Sequence, residues 1–114
     1  MGRRKKLSTD ILITLDKVLL KIETLPWDYA LYIPAVDTVW DERMMCMILD
    51  PEETEDPDDD PEIAKRNGLK YALSISDVQD VSENLNAQIK DVEQEFLIAA
   101  VKYYYDKGAF ITLS

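Results

Sequence analysis

A single thiol, Cys46, and a dense run of carboxylates are the residues of this chain with the most chemistry to offer. Cys46 lies in an apolar stretch of Met44, Met45, Cys46, Met47, Ile48 and Leu49, with no charged neighbour closer than Arg43. Such a setting disfavours the thiolate, so the residue is expected to behave as a small buried hydrophobe and not as a nucleophile. The chain has no histidine, which removes the commonest general base and metal ligand. Its glycines, Gly2, Gly68 and Gly108, are too far apart to form a phosphate-binding loop. No catalytic residue and no cofactor site is expected.

Nine of the thirteen residues at 50–62 are acidic, none is basic, and three of the other four are prolines. That segment accounts for −9 of a formal net charge of −10. Asp56, Asp58 and Asp60 alternate, as calcium-binding carboxylates can, but the segment lacks the glycine that an EF-hand loop needs at its sharp turn. Pro57 and Pro61 constrain the chain further. No metal site is expected. The composition is that of a solvated, mobile loop, and one that can steer a cationic partner.

The rest of the chain is nearly neutral, but four of its bases, Arg3, Arg4, Lys5 and Lys6, sit together at the start. Residues 7–114 carry 23 acids against 9 bases. A field of that sign repels phosphate backbones, so nucleic-acid binding is not expected. Residues 1–8 read as a flexible basic tail. Asp10 and Asp16 interrupt the apolar stretch that follows, and no small-residue cleavage site succeeds it, so a signal peptide is not expected. No apolar run reaches the roughly eighteen residues that a membrane span requires. With one cysteine and no secretion signal, the expected compartment is the cytoplasm.

These residues need elements to position them, and the chain reads as one domain over residues 1–114. Ser8, Thr9 and Asp10 are N-cap candidates for a helix to about Thr24, with Ile11, Leu15, Val18 and Ile22 on one face. Ile13 and Leu20 lie nearly opposite that face. Residues 29–33 and 44–49 read as strands, the second apolar enough to be covered on both faces. After the acidic loop, Asn67 and Gly68 mark a turn into a strand at 69–75, where Leu69, Tyr71, Leu73 and Ile75 alternate with smaller or polar residues. Ser76 and Gln79 have the spacing of a capping box for a helix over about 77–87, with Val78, Val81 and Leu85 inward.

A last helix over about 89–107 ends at Gly108, and residues 109–113 could close the chain as a strand. Its expected inner arc is Ile89, Val92, Phe96, Ala99, Ala100 and Tyr103. The expected fold class is α+β: a small, mostly antiparallel sheet packed by about three helices, with the acidic loop as a hairpin insertion between two strands.

Aromatic side chains are frequent for so short a chain. Tyr103, Tyr104 and Tyr105 follow one another, and consecutive helical residues point about 100° apart, so they cannot share one buried face. Tyr105 and Ile98 fall on the rear of the expected helix. They either pack on Ile13 and Leu20 or form the seam of a homodimer. The residues expected to meet a protein partner are Asp56, Asp58, Asp59 and Asp60 for steering, with Asp37, Trp40, Asp41 and Glu42 in the neighbouring loop.

A histidine-free, strongly acidic α+β domain with these tyrosines and tryptophans resembles the bacterial immunity proteins that neutralise nuclease toxins, including those of contact-dependent inhibition systems. The resemblance is one of character over the whole chain, carried by residues 50–62 and the aromatic residues. It implies a non-enzymatic protein that binds one basic toxin domain and blocks its active site or substrate groove. The alternative is a homo-oligomeric structural or regulatory protein assembled through the C-terminal helix.

Overall fold

A computed structural model describes residues 12–54 and 58–112. The elements run β1 (Ile13–Thr14), α1 (Leu15–Leu20), a 3-10 turn (Ile22–Thr24), β2 (Ala30–Pro34), β3 (Met45–Leu49), α2 (Glu62–Arg66), β4 (Leu69–Ser74), α3 (Ile75–Gln88) and α4 (Gln94–Lys107). The four strands form one antiparallel sheet in the order β1-β3-β2-β4. The fold is therefore α+β, as the sequence pattern predicts, with one more helix than expected.

Strand order corrects the place of the acidic segment. Strands β3 and β4 are both antiparallel to β2, which lies between them, so they run parallel to each other. The segment joining them is a crossover and not a hairpin insertion. A parallel connection must travel over a sheet face, generally with a helix, and here that helix is α2. Its Ala64 is buried, and it packs with Ile63 against Ala30, Tyr32, Met47, Leu49 and Leu69. Asn67 ends α2, and Gly68 turns into β4 with φ +70°, as the Asn-Gly signal predicts.

The opposite sheet face carries the larger core. Leu31 and Ile33 of β2 and Cys46 and Ile48 of β3 meet Leu15 and Val18 of α1, Val78, Val81 and Leu85 of α3, and Leu97 and Val101 of α4. Strand β3 is thus covered on both faces, as its unbroken apolar run implies. In β4 the alternation breaks. Leu31 pairs with Leu73 and Tyr32 with Tyr71, which leaves Ala72 as the extra residue of a bulge. Leu69 therefore faces the minor core and Leu73 the major one.

The N-terminal helix is shorter than its periodicity suggests. Ser8, Thr9, Asp10 and Ile11 lie outside the described residues, and Ile13 and Thr14 are a strand. Strand β3 would otherwise expose a row of unpaired backbone groups. Two β-branched residues satisfy part of it by pairing with Cys46 and Met45, and Leu15 N–H continues the ladder to Met44 O at 2.9 Å. Leu15, Val18 and Ile22 are buried as expected, whereas Leu20 is 77% exposed and packs nothing.

Two glutamines then fasten this N-terminal element to the helices. Gln79 Nε2 donates to Ile22 O and Leu25 O at 2.8 and 3.1 Å, and Gln94 Nε2 donates to Asp16 O at 2.8 Å. Because Gln79 is committed there, it does not complete a capping box. The cap of α3 is Ser74, two residues earlier than expected, whose Oγ accepts from Asp77 N–H at 3.0 Å. The N–H groups of Ile75 and Ser76 donate to Tyr29 O and Trp27 O, so strand passes into helix without a loop.

Helix α4 also starts later than expected. Asp91 adopts a left-handed conformation (φ 50°), which breaks the chain between α3 and α4, and Glu93 is the N-cap. Gly108 closes the helix at φ +71°, as expected. Residues 109–112 are not a strand. Their path is fixed by Gln88 Nε2 donating to Ile111 O at 3.0 Å and by Phe110 meeting Tyr104 at 5.3 Å between ring centroids.

The two candidate caps give separable outcomes. Ser74→Ala is expected to lower stability by about 1 kcal/mol, and Ser76→Ala to change it by less than about 0.5 kcal/mol. Urea denaturation monitored by tryptophan fluorescence checks both.

Candidate functional site

Three places hold reactive or charged groups: the thiol, the acidic crossover, and a groove beside α4. Each is fixed by a different part of the fold.

Cys46 is fully buried in the major core, and its thiol donates to Met44 O at 3.4 Å. Burial pushes its pKa up to about 12, which leaves no useful thiolate near neutral pH. One carboxyl pair exists on the surface: Glu23 is held above the usual carboxylate range by partial burial and then by the Glu83 carboxylate hydrogen-bonded to it. Both residues are exposed. Among the described residues no group of three or more cysteine, aspartate or glutamate side chains is placed to hold a metal ion.

Carboxylates from both ends of the acidic crossover lie near one buried tyrosine. Tyr32 is 1% exposed and meets Tyr71 edge-on at 5.7 Å. Its hydroxyl pKa is raised by burial first, then by Asp60, Tyr71 and Asp50, so carboxylates from both ends of the run converge near it. The leading end turns on Asp50, whose Oδ1 accepts from Glu52 N–H at 3.0 Å and whose backbone oxygen accepts from Glu53 N–H at 3.1 Å. The trailing end is locked by Pro61, which is buried and whose carbonyl accepts from Ala64 and Lys65 N–H.

Lys65 Nζ reaches back to Asp59 Oδ2 at 2.6 Å and holds that exposed carboxyl below the usual range. Asp58 is exposed, Asp60 is half-buried, and Asp56 lies outside the described residues. The segment from 58 onward is therefore built into the fold through α2, more than the loop reading implied.

Asp37, Trp40, Asp41 and Glu42 belong to the β2–β3 connection at the other end of β3. The sheet separates the two groups, since Trp40 packs against the major core on one face and α2, which follows Asp58, Asp59 and Asp60, covers the other. They are not neighbouring loops, and the expected single contact surface is two. Asp41 Oδ1 accepts from Arg43 N–H at 2.9 Å, and Glu42 O accepts from Asp16 N–H at 3.2 Å. Trp40 is half-buried against Tyr105, with ring centroids at 5.3 Å and a 37° tilt. Asp37 is exposed, beside Val36 and Val39 at 75% and 73% exposure.

The proposed homodimer seam is overturned by burial. Ile98 is 3% exposed in the major core, and Tyr105 packs on that core and on Trp40. Leu97, Ile98, Ala100 and Val101 form the true inner face of α4, while Ala99 and Tyr103 of the expected inner arc are exposed. A helix apolar on both sides has no single periodicity to choose its inner face, so the expected arc was right at Ala100, and at Ile89 and Val92 before the helix, but outward at Ala99 and Tyr103.

The choice of face opens a groove that sequence reasoning missed. A cavity of about 640 Å³ lies between the β2–β3 connection and α4, lined by Trp40, Asp41, Glu42, Glu95, Ala99 and Lys102 among others. A second, of about 430 Å³, is lined by Ile89, Asp91, Glu93 and Phe96 and shares Glu95 and Ala99 with the first. The available signal was the charge at Glu95 and Lys102, one i, i+7 stripe of α4 that also contains Ala99 and Ile98.

These features define a small α+β domain with an anchored acidic crossover and a groove along its last helix. The chain belongs to the DUF7716 family, a domain of unknown function whose profile matches residues 12–113. No curated protein and no solved structure gave a match. No helix of the described residues is long and apolar enough to cross a membrane.

The buried thiol has a measurable signature. The folded state keeps Cys46 protonated up to about pH 12, while the unfolded thiol ionises from about 9. Stability due to this group is present below pH 9 and is lost as pH rises between those values, at up to about 1.4 kcal/mol per unit. Denaturation of Cys46→Ala across the same range is expected to show a shallower loss than the parent protein.

Proposed function

We propose that this protein is a non-enzymatic binding protein for a basic protein domain, acting as an immunity protein against a nuclease toxin of the kind its character resembles. The observation that carries the reading is the anchoring of the acidic crossover. Residues 50–66 hold nine acids and two bases, Lys65 and Arg66, and the part from Asp58 onward runs into α2, which is fastened to the sheet by Ile63 and Ala64.

A charge cluster on a tether spreads its field over many positions. One clamped to a sheet face presents it in a fixed direction, which is what orients an incoming cationic surface. The buried, protonated thiol and the lack of histidine support a role without catalysis. Such a protein would work in the cytoplasm, where a lone thiol stays reduced.

The test is association with a basic nuclease domain encoded beside this gene, followed by stopped-flow at low and high salt. Replacing Asp58, Asp59 and Asp60 together by asparagine is expected to lower the on-rate about tenfold at low salt and to flatten its salt dependence. An on-rate indifferent both to salt and to the triple substitution would remove the steering role.

A further inference from the structure

Steering brings a partner close but does not hold it. Affinity comes from apolar groups that leave water at the contact, and the acidic crossover has few of these. The outer face of α4 has them. Phe96, Ala99 and Tyr103 follow at i, i+3 and i+7, with Ala99 and Tyr103 exposed and Phe96 half-buried. Beside them runs the double groove, whose floor includes Trp40, Ile98 and Ala99. The two cavities, of about 640 and 430 Å³, share Glu95 and Ala99 as lining and together are called the α4 trough.

The rim decides the chemistry of the occupant. Asp41, Glu42 and Glu95 line one half, and Asp91, Glu93 and again Glu95 line the other. Against these five carboxylates stand Arg43 and Lys102, and Lys102 Nζ is already engaged by Asp106 Oδ2 at 2.5 Å. An apolar floor between mostly negative walls is complementary to a helix with one apolar stripe and basic flanks. Along α4 the trough follows Glu95 to Lys102, about 10 Å, or roughly two turns of a docked helix.

Among the described residues, neither long helix of a second copy is basic. Its α3 carries three acids and no base, and its α4 is neutral overall. We propose that the α4 trough docks a basic amphipathic helix of the partner protein. This rests on the binding reading above and names the surface that supplies its affinity.

The probe is a synthetic leucine–lysine amphipathic helix of about four turns, titrated into isotopically labelled protein and followed by amide chemical shifts. Shift changes are expected at residues 40–43 and 95–102, with no comparable binding of a leucine–glutamate helix or of a scrambled leucine–lysine peptide. Ala99→Trp, which fills the trough, and Glu95→Lys, which reverses its rim, are each expected to weaken binding about tenfold. Both positions are exposed, and unmoved amides in β2 and β3 report that each variant is folded.

Shift changes confined to residues 50–54 and 58–62 would overturn the trough proposal and leave the steering role standing. Trough shifts that survive the triple asparagine substitution support the proposal, even where an unchanged on-rate removes steering. Equal binding of the scrambled peptide, or no binding at all, overturns it. So does a concentration dependence of the same amides without peptide, which would make the trough a self-contact.

Discussion

Strand β3 must be covered on both faces, and most of the architecture depends on meeting that requirement. Cys46 and Ile48 point into one core, and Met47 and Leu49 into the other. Leaving either pair in water would cost on the order of 1.5–3 kcal/mol per side chain. Helices α1, α3 and α4 close the larger side. Because β4 lies beyond β2, the chain leaving β3 has to pass over the other face to reach it. The cover for that face is therefore taken from the connection itself, as the short helix α2 with Ile63 and Ala64.

That solution runs the acidic residues Asp58, Asp59 and Asp60 directly into the helix that covers the sheet. Like charges gathered in one place oppose compaction, so the crossover needs apolar fastening. Pro61, Ile63 and Ala64 provide it within a few residues of Asp58, Asp59 and Asp60. Tyr32 sits beneath with its hydroxyl more reluctant to ionise, first because it is buried and then because a negative charge there would face Asp60 and Asp50. Electrostatics and packing are thus coupled at one tyrosine. The Lys65–Asp59 pair is fully exposed and contributes local order more than stability.

The interior strands and the inner face of α3 were legible in the sequence because their signals are local. Residues 30–34, 45–49 and 69–74 carry apolar runs or alternation bounded by turn residues, and Val78, Val81 and Leu85 recur at helical spacing. What was not legible depended on distant partners. Ile13 and Thr14 fit a helical pattern and become a strand because β3 has an edge to satisfy. Ser76 and Gln79 have the right spacing for a cap, yet Gln79 is drawn to carbonyls more than fifty residues away. The crossover could not be told from a hairpin, since strand order is a property of the whole sheet. Nor could the candidate contact residues be placed from sequence, since the sheet puts Trp40 on one face and α2 with the acids before it on the other.

Helix α4 shows how such an ambiguity leaves a residue with functional meaning. Both of its sides are apolar, and packing uses the one with Leu97, Ile98 and Val101. The fold has no need of Phe96, Ala99 and Tyr103 on the other. An uncovered apolar stripe favours self-association, but here every copy carries a formal charge of −10. On the binding reading proposed above, repulsion between copies would keep the stripe open to a partner of opposite charge. The carboxylates at the rim and those of the crossover then act in the same sense: they discourage the chain from meeting itself and favour a cationic surface. Selectivity of that kind needs no contact between the acidic crossover and the trough. On the proposed reading it needs only that charge select the partner while the apolar stripe holds it, and the sheet, with α2 on one face and α4 on the other, keeps those two tasks on separate surfaces.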